Sequence, residues 1–293
     1  NGGQTCGGSD GTVTISRNGD LVSSLYVTCS NFTGIVKGSS IVNEVELEIG
    51  GQKIDKHSGL WMECWAELTE PNPTGAVALV DGTSNKGVLG GTLFQKMSFN
   101  HTGKAAVTSA AAEAPTFAVV PLQFWFNRNP GLALPLIALQ YHEVKIKITF
   151  ETAENLFGTG DTGAFSPELF TQYIYLDTDE RRRFAQVSHE YLIEQVQFTG
   201  SETVAVGSNK INLHFNHPVK ELVWVYGGTT AAANLSTASS ISTAKLQLNG
   251  HDRFKEETGD YFLHVQRFQH HTGTKGQAAR ATEQGATDTP ANI

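Results

Sequence analysis

The 293-residue sequence predicts an all-β protein built as two tandem β-sandwiches, and three observations carry that expectation. Only 17% of residues are charged, while 30 Gly and 16 Phe sit among many Thr and Val, a composition of strands and tight turns rather than helices. Apolar residues recur with a period of two in several segments, and no long helical periodicity appears. A short pattern also returns. Glu46-Leu47-Glu48-Ile49-Gly50-Gly51 recurs as Lys245-Leu246-Gln247-Leu248-Asn249-Gly250, and upstream of the copies Asp20-Leu21 through Val27 parallels Glu221-Leu222 through Tyr226. A duplicated sandwich accounts for the shared order better than one large sheet.

Taken in order, residues 1–10 are Gly-rich and polar and are expected to be poorly ordered. Thr12–Ile15 reads as a strand, Arg17-Asn18-Gly19-Asp20 as a turn in which Asn-Gly tolerates positive φ, and Leu21–Cys29 as the next strand. Val45, Leu47 and Ile49 alternate with Glu44, Glu46 and Glu48, giving a strand with an acidic outer face. Gly50-Gly51 turns it, and Lys53–Trp65 continues with Ile54, Leu60, Trp61 and Trp65. Two long loops without period follow, Pro71–Gly91 and Thr102–Ala114, of the kind that carry surface function. Phe117–Phe126 resumes the strand pattern, with Leu122, Phe124 and Phe126 on one face, until Asn127–Gly131 stops it. Leu132–Leu139 reads as a single buried helical turn around Pro135. From Tyr141, Val144, Ile146, Ile148 and Phe150 face one way while Glu143, Lys145, Lys147 and Thr149 face the other. Leu169–Leu176 closes the first unit.

Asp177–Gln186 is the expected connector. Beyond it His189–Phe198, Ile211–Phe215, Val219–Tyr226 and Lys245–Leu248 read as strands, with a low-complexity loop at Thr230–Thr243 and a turn at Asn249-Gly250. From about Lys275 almost no apolar surface remains to offset ordering entropy, so the tail is expected to lack regular structure. The resulting division is 1–176, 177–186, 187–274 and 275–293. If the halves are copies, Leu47 and Ile49 should be buried in one core and Leu246 and Leu248 in the other, with Gly51 and Gly250 in matching turns.

Two stretches carry a family resemblance: FWFNRNPGLALPLIALQYHEV, from Phe124 to Val144, and YLDTDERRRFAQVSHEYLIEQVQFTG, from Tyr175 to Gly200. Both resemble the major capsid proteins of large icosahedral double-stranded DNA viruses of the phycodnavirus and iridovirus kind, over roughly Gly11–Gly273. The resemblance implies two tandem jelly-roll β-sandwiches, the first lacking its initial strand and the second truncated, because the family continues with further strands. It implies a homotrimer forming a pseudo-hexameric capsomer of an icosahedral shell, a late protein of the virion. The implied partners are neighbouring capsomers and minor capsid proteins, with any internal membrane reached through other proteins. Assembly is expected in the cytoplasm of the host cell. The chain does not begin with Met, and a fragment is expected.

The residues themselves exclude several chemistries. A formal charge of −8 repels phosphates, so no direct nucleic-acid contact is expected. The basic run Arg181-Arg182-Arg183 lies beside Asp177, Asp179 and Glu180, as in a salt-bridged connector. Cys6, Cys29 and Cys64 form no CxxC, and strand parity makes Cys29 and Cys64 core-facing free thiols. His270-His271, His142-Glu143 and the pair His214 and His217 lack the spacing of a zinc site. No phosphate loop, nucleophile elbow or dinucleotide fingerprint occurs, so the expectation is no enzyme, no catalytic residue, no cofactor and no metal. Three sequons at Asn31, Asn100 and Asn234 offer possible glycosylation sites. The alternative is a carbohydrate-binding β-sandwich or jelly-roll hydrolase, but Trp61, Trp65, Trp125 and Trp224 fall within apolar strand patterns rather than a groove. No apolar run approaches the 18 residues or so of a membrane span.

Overall fold

The computed structural model describes residues 10–33, 41–71, 79–80, 88–89, 92–98, 117–157, 163–225 and 241–272. In chain order the first part contains β1 (Asp10–Thr14), β2 (Leu21–Ser30), β3 (Val42–Ile49), β4 (Gln52–Ser58), α1 (Gly59–Thr69), the short strands β5 (Leu79–Val80) and β6 (Val88–Leu89), and α2 (Leu93–Ser98). Next come β7 (Phe117–Pro121), α3 (Trp125–Arg128), β8 (Leu134–Pro135), β9 (Val144–Phe150), α4 (Ala153–Phe157) and β10 (Ser166–Ile174). The remainder holds α5 (Thr178–Gln186), β11 (Thr243–Ala244), β12 (Gln247–Leu248), β13 (His251–Asp252), β14 (Glu257–Thr258) and α6 (Arg267–His270), which a π-helical stretch at Tyr261–Gln266 leads into.

Alternation in the sequence becomes alternation in burial. Along β9, Val144, Ile146, Ile148 and Phe150 are buried while Lys145, Lys147 and Thr149 are not. β9 lies between β1 and β3 in an antiparallel sheet of order β1-β9-β3-β4, with Leu47 opposite Ile146 and Glu48 opposite Lys145. A second sheet, β10-β2-β7, pairs β2 with β8 as well. Its inward residues Val22, Leu25, Val27, Cys29, Ala118 and Val120 meet Val45, Leu47 and the β9 row in one core. Fully burying each of the larger of these side chains contributes about 1.5–3 kcal/mol. A one-residue slip would turn the whole β9 row to solvent, so the core itself fixes the register.

Three local expectations need correction. The stretch through Trp65 leaves the sheet at Ser58, whose hydroxyl accepts the Trp61 N–H at 3.2 Å and starts α1. Met62 and Ala66, one turn apart, are the buried apolar residues of this helix, so strand parity does not apply to Cys64, which is half-buried. Phe117–Phe126 is a strand only to Pro121. Asn127 then accepts the Phe124 N–H and donates to the Ser23 carbonyl, turning Trp125–Arg128 into a helical turn that still buries Phe124 and Phe126. The helical turn expected around Pro135 sits earlier, at Pro130–Leu132, and Leu134–Pro135 pairs with β2.

The second half departs further. The strands expected at 189–198, 211–215 and 219–226 are not formed among the described residues. A period-two pattern supplies a face but not a ladder partner, and an unpaired strand is not stable. What does form is a local copy. The β3–β4 turn places Gly50 and Gly51 at φ 60° and 82°, and the β12–β13 turn places Asn249 and Gly250 at 52° and 81°. Both are two-residue turns, closed by Ile49 opposite Gln52 and by Leu248 opposite His251. Downstream, Thr258 accepts the Tyr261 N–H at 3.3 Å just as Ser58 accepts that of Trp61. Gly51 and Gly250 therefore occupy matching turns, but the expected second core does not enclose the copy. Leu47 is fully buried and Ile49, also expected in the first core, is half-buried, whereas Leu246 is half-buried and Leu248 is 53% exposed. The tail beyond 272 lies outside the described residues.

Candidate functional site: two unlike outer faces and a polar junction

The two sheets present different chemistry to solvent. On the β1-β9-β3-β4 sheet, the acidic row Glu44, Glu46 and Glu48 runs between lysines of its neighbours, Lys53 and Lys56 on β4 and Lys145 and Lys147 on β9. Lys53 meets Glu46 at 2.9 Å, Lys56 pairs with Glu44, and Lys147 reaches Asp10 at 3.6 Å. The face is neutralised strand by strand and stays hydrated, since exposed pairs of this kind contribute about 0.2–1 kcal/mol each.

The other outer face carries an aromatic patch among polar residues, with Glu168, Gln172 and Ser166 in the same outward row of β10 as Phe170. Tyr26 on β2 lies opposite Phe170 on β10 and Pro121 on β7, with Val119 opposite Thr28 and Phe117 opposite Ser30. The rings of Tyr26 and Phe170 stack at 5.4 Å with their planes 2° apart, yet Phe170 is 44% and Phe117 51% exposed. Cross-strand aromatic pairs stabilise a sheet, but exposed Phe117 and Phe170 beside half-buried Tyr26, Val119 and Pro121 also form an apolar patch of the kind that marks a contact surface.

A polar junction joins the halves. Asp177 caps α5, accepting the Asp179 and Glu180 N–H groups, and Arg181 reaches back to Asp20 at 2.9 Å. Arg181 and the Leu176 N–H hold the Asp20 carboxyl below its usual range. Arg182 faces Asp179 at 3.7 Å, so the basic run is tied to acids on its own helix and on the first half. Further along, Asp55 accepts the Val196 N–H at 3.0 Å and the Lys56 N–H at 2.9 Å, while Gln195 donates to the Ile54 carbonyl. Burial nevertheless dominates and raises Asp55 to about 6. Arg128 lies 4.8 Å over the Trp65 ring and 3.3 Å from Glu194, which also binds Lys220. His57, buried against Phe124, is pushed down to about 3 by burial and by Arg128. At the far end Arg267 donates to the Glu67 carbonyl at 3.1 Å, and His271 meets Glu221 at 2.6 Å. The salt-bridged connector at Asp177–Arg182 was legible in the sequence, but Asp55, His57, Arg128, Glu194 and Arg267 were not, because they read as residues of a solvated face.

Among the described residues no three His, Cys, Asp or Glu side chains converge as a metal ion requires, and no helix is long and apolar enough to cross a membrane. Cys29 is buried, which pushes its thiol up to about 12. Trp61 and Trp65 stack on each other on α1, Trp125 is buried, and Trp224 packs edge-on against Phe262, so these four indoles do not line one groove. Of the sequons, Asn31 is exposed at φ 55°, its amide donates to Ser166, and Thr33 accepts the Ala164 N–H at 2.7 Å. Asn100 and Asn234 lie outside the described residues.

Comparison with known proteins places this arrangement. The family described as "Major capsid protein N-terminus" matches residues 2–177, and that described as "Large eukaryotic DNA virus major capsid protein" matches residues 180–276. The chain is 46% identical over 269 residues to the major capsid protein of Pyramimonas orientalis virus, covering 89% of this chain and 62% of that protein. It is 42% identical to that of Phaeocystis pouchetii virus, covering 81% and 51%, and 38% identical to that of Paramecium bursaria Chlorella virus 1, covering 91% and 68%. The chain thus spans about half to two thirds of these relatives. PBCV-1 VP54, in its crystal structure fitted into a cryo-EM reconstruction of the virophage Sputnik, matches with TM-score 0.66 at 33% identity, covering 93% of this chain and 74% of that one. A quasi-atomic model of the PBCV-1 virus capsid matches at 0.63. These neighbours are viral double jelly-roll capsid proteins, and the all-β class with antiparallel sheets is shared.

Proposed function

The chain belongs to the major capsid proteins of large eukaryotic DNA viruses, and from that premise we propose that it is a structural subunit that works by packing against copies of itself. Three copies form a pseudo-hexameric capsomer, and capsomers tile an icosahedral shell together with minor capsid proteins. The subunit assembles in the host cytoplasm, contacts no nucleic acid directly, reaches any inner membrane through other proteins and carries out no catalysis.

The supporting observation is the contrast between the outer faces. A shell subunit needs a surface whose removal from water drives association, at about 25 cal/mol per Å² of apolar area. The patch of Phe117, Val119, Pro121, Tyr26 and Phe170 offers that, and the Glu/Lys face does not. We assign the patch to contact with another copy. Light scattering of the complete protein at micromolar concentration should give a trimer, and F117S/F170S should shift it towards monomer without unfolding it. A stable wild-type monomer would refute the reading, and an unshifted trimer in the variant would move the contact to another face. Peptide mass spectrometry of the virion protein tests Asn31, Asn100 and Asn234 for glycans, with Asn31 expected to be modified.

A further inference from the structure

Helix α1 carries two acids inside the protein. Glu63 and Glu67, one turn apart, are only 8% and 4% exposed. Facing them is Gln95 of α2. Its side-chain oxygen is occupied by the Thr92 N–H at 3.0 Å, and the Thr92 hydroxyl accepts the Gln95 N–H at 3.2 Å, a reciprocal cap that fixes the amide. What Gln95 has left is its NH₂, which donates to Glu63 Oε1 at 3.2 Å. Glu67 Oε1 has no hydrogen-bond partner among the described residues. Glu70, a turn further on, accepts the Phe94 N–H at 2.9 Å. From the second half, Arg267 reaches the same turn of α1, but its hydrogen bond goes to the Glu67 carbonyl.

An ionised pair would set two like charges in a buried site where, among the described residues, Glu67 Oε1 finds no donor, a costly arrangement for a buried acid. The Gln95 donor favours the charged form, but burial outweighs it, and neutral carboxyls remove the repulsion between the pair. We propose that Glu63 and Glu67 form a proton-held clasp: while they carry their protons, α2 and the segment bearing Arg267 stay docked on α1, and loss of the protons loosens the junction.

Glu67 acts on Glu63, Glu70 and Arg267 act on Glu67 with opposite sign, and Cys64, its own thiol pushed up to about 12, stays neutral. Burial raises Glu63 to about 7 and raises Glu67 and Glu70 as well. A folded-state value above the usual 4.5 means that the stabilisation is complete below about pH 4.5 and is lost as pH climbs through about 7.

Hydrogen exchange of the chain at pH 5 and pH 7, corrected for intrinsic rates, reads this directly. Amides of Gly59–Thr69 and Leu93–Ser98 should open about tenfold more per pH unit across that window, and E63Q/E67Q should show no such rise. R267Q should extend the rise to higher pH, because removing the cation lifts Glu67 further, an effect that a merely structural arginine would not have. Equal protection at both pH values in the wild type, or a rise that survives in E63Q/E67Q, overturns the clasp. If the double variant does not fold, an R267Q profile identical to wild type does so instead.

Discussion

The β3–β4 hairpin and its copy at β12–β13 are the same object in two environments. Each has a two-residue turn with both residues at positive φ, an ion pair across the hairpin, and a hydroxyl-capped helix further along the chain. Yet the first hairpin lies in a four-stranded sheet over a filled core, and the second, among the described residues, pairs only with itself and leaves Leu248 exposed. Turn chemistry and capping are therefore written locally. Burial is conferred by what lies opposite, and that is distant in sequence.

The largest effect expected from this contrast is in the core. Leu47→Ala should destabilise the chain by about 2–5 kcal/mol, while Leu246→Ala, at the equivalent but half-buried position, should cost no more than about 1 kcal/mol, both measured by urea unfolding. Equal losses would mean that the copy is as enclosed as the original. Next come the caps. Ser58→Ala should cost about 1 kcal/mol of global stability, and Thr258→Ala should release only its own helix, seen as local exchange at Tyr261–Gln266 with an unchanged unfolding midpoint. The turns should then erase the difference. Gly51→Ala and Gly250→Ala meet no neighbouring atom, so each loses only to the positive φ, by about 1 kcal/mol. Clearly unequal costs would show that the turns are not equivalent. Smallest of all, Lys53→Met and Lys245→Met should each change stability by under about 1 kcal/mol, in a salt-dependent way.

How far the sequence could be read follows the same line. β9 was legible because Val144 to Phe150 alternates without exception over a sheet wet on one side. α1 was not, because Trp61, Met62 and Trp65 read as apolar in any period. Its signals were the Ser58 cap and the i, i+4 spacing of Met62 with Ala66. Asn127 hid the end of β7 in the same way, since its value lies in a contact with Ser23, far back in the chain. The apolar patch was within reach only after pairing was known, for Tyr26, Pro121 and Phe170 come from three separate strands. The clasp was hidden too, because Glu63 and Glu67 look solvated until α2 covers them.

The ion pairs of the two hairpins carry one more meaning. Glu46 faces Lys53 in the first, and Lys245 faces Asp252 in the second, so equivalent positions hold opposite signs. A chain with two similar hairpins risks exchanging strands between them while it folds. Such an exchange would set Glu46 against Asp252 and Lys245 against Lys53, like charge against like in both products. The reversal lets each strand distinguish its own partner from the partner's double, a safeguard against misassembly that leaves the finished structure almost unaffected.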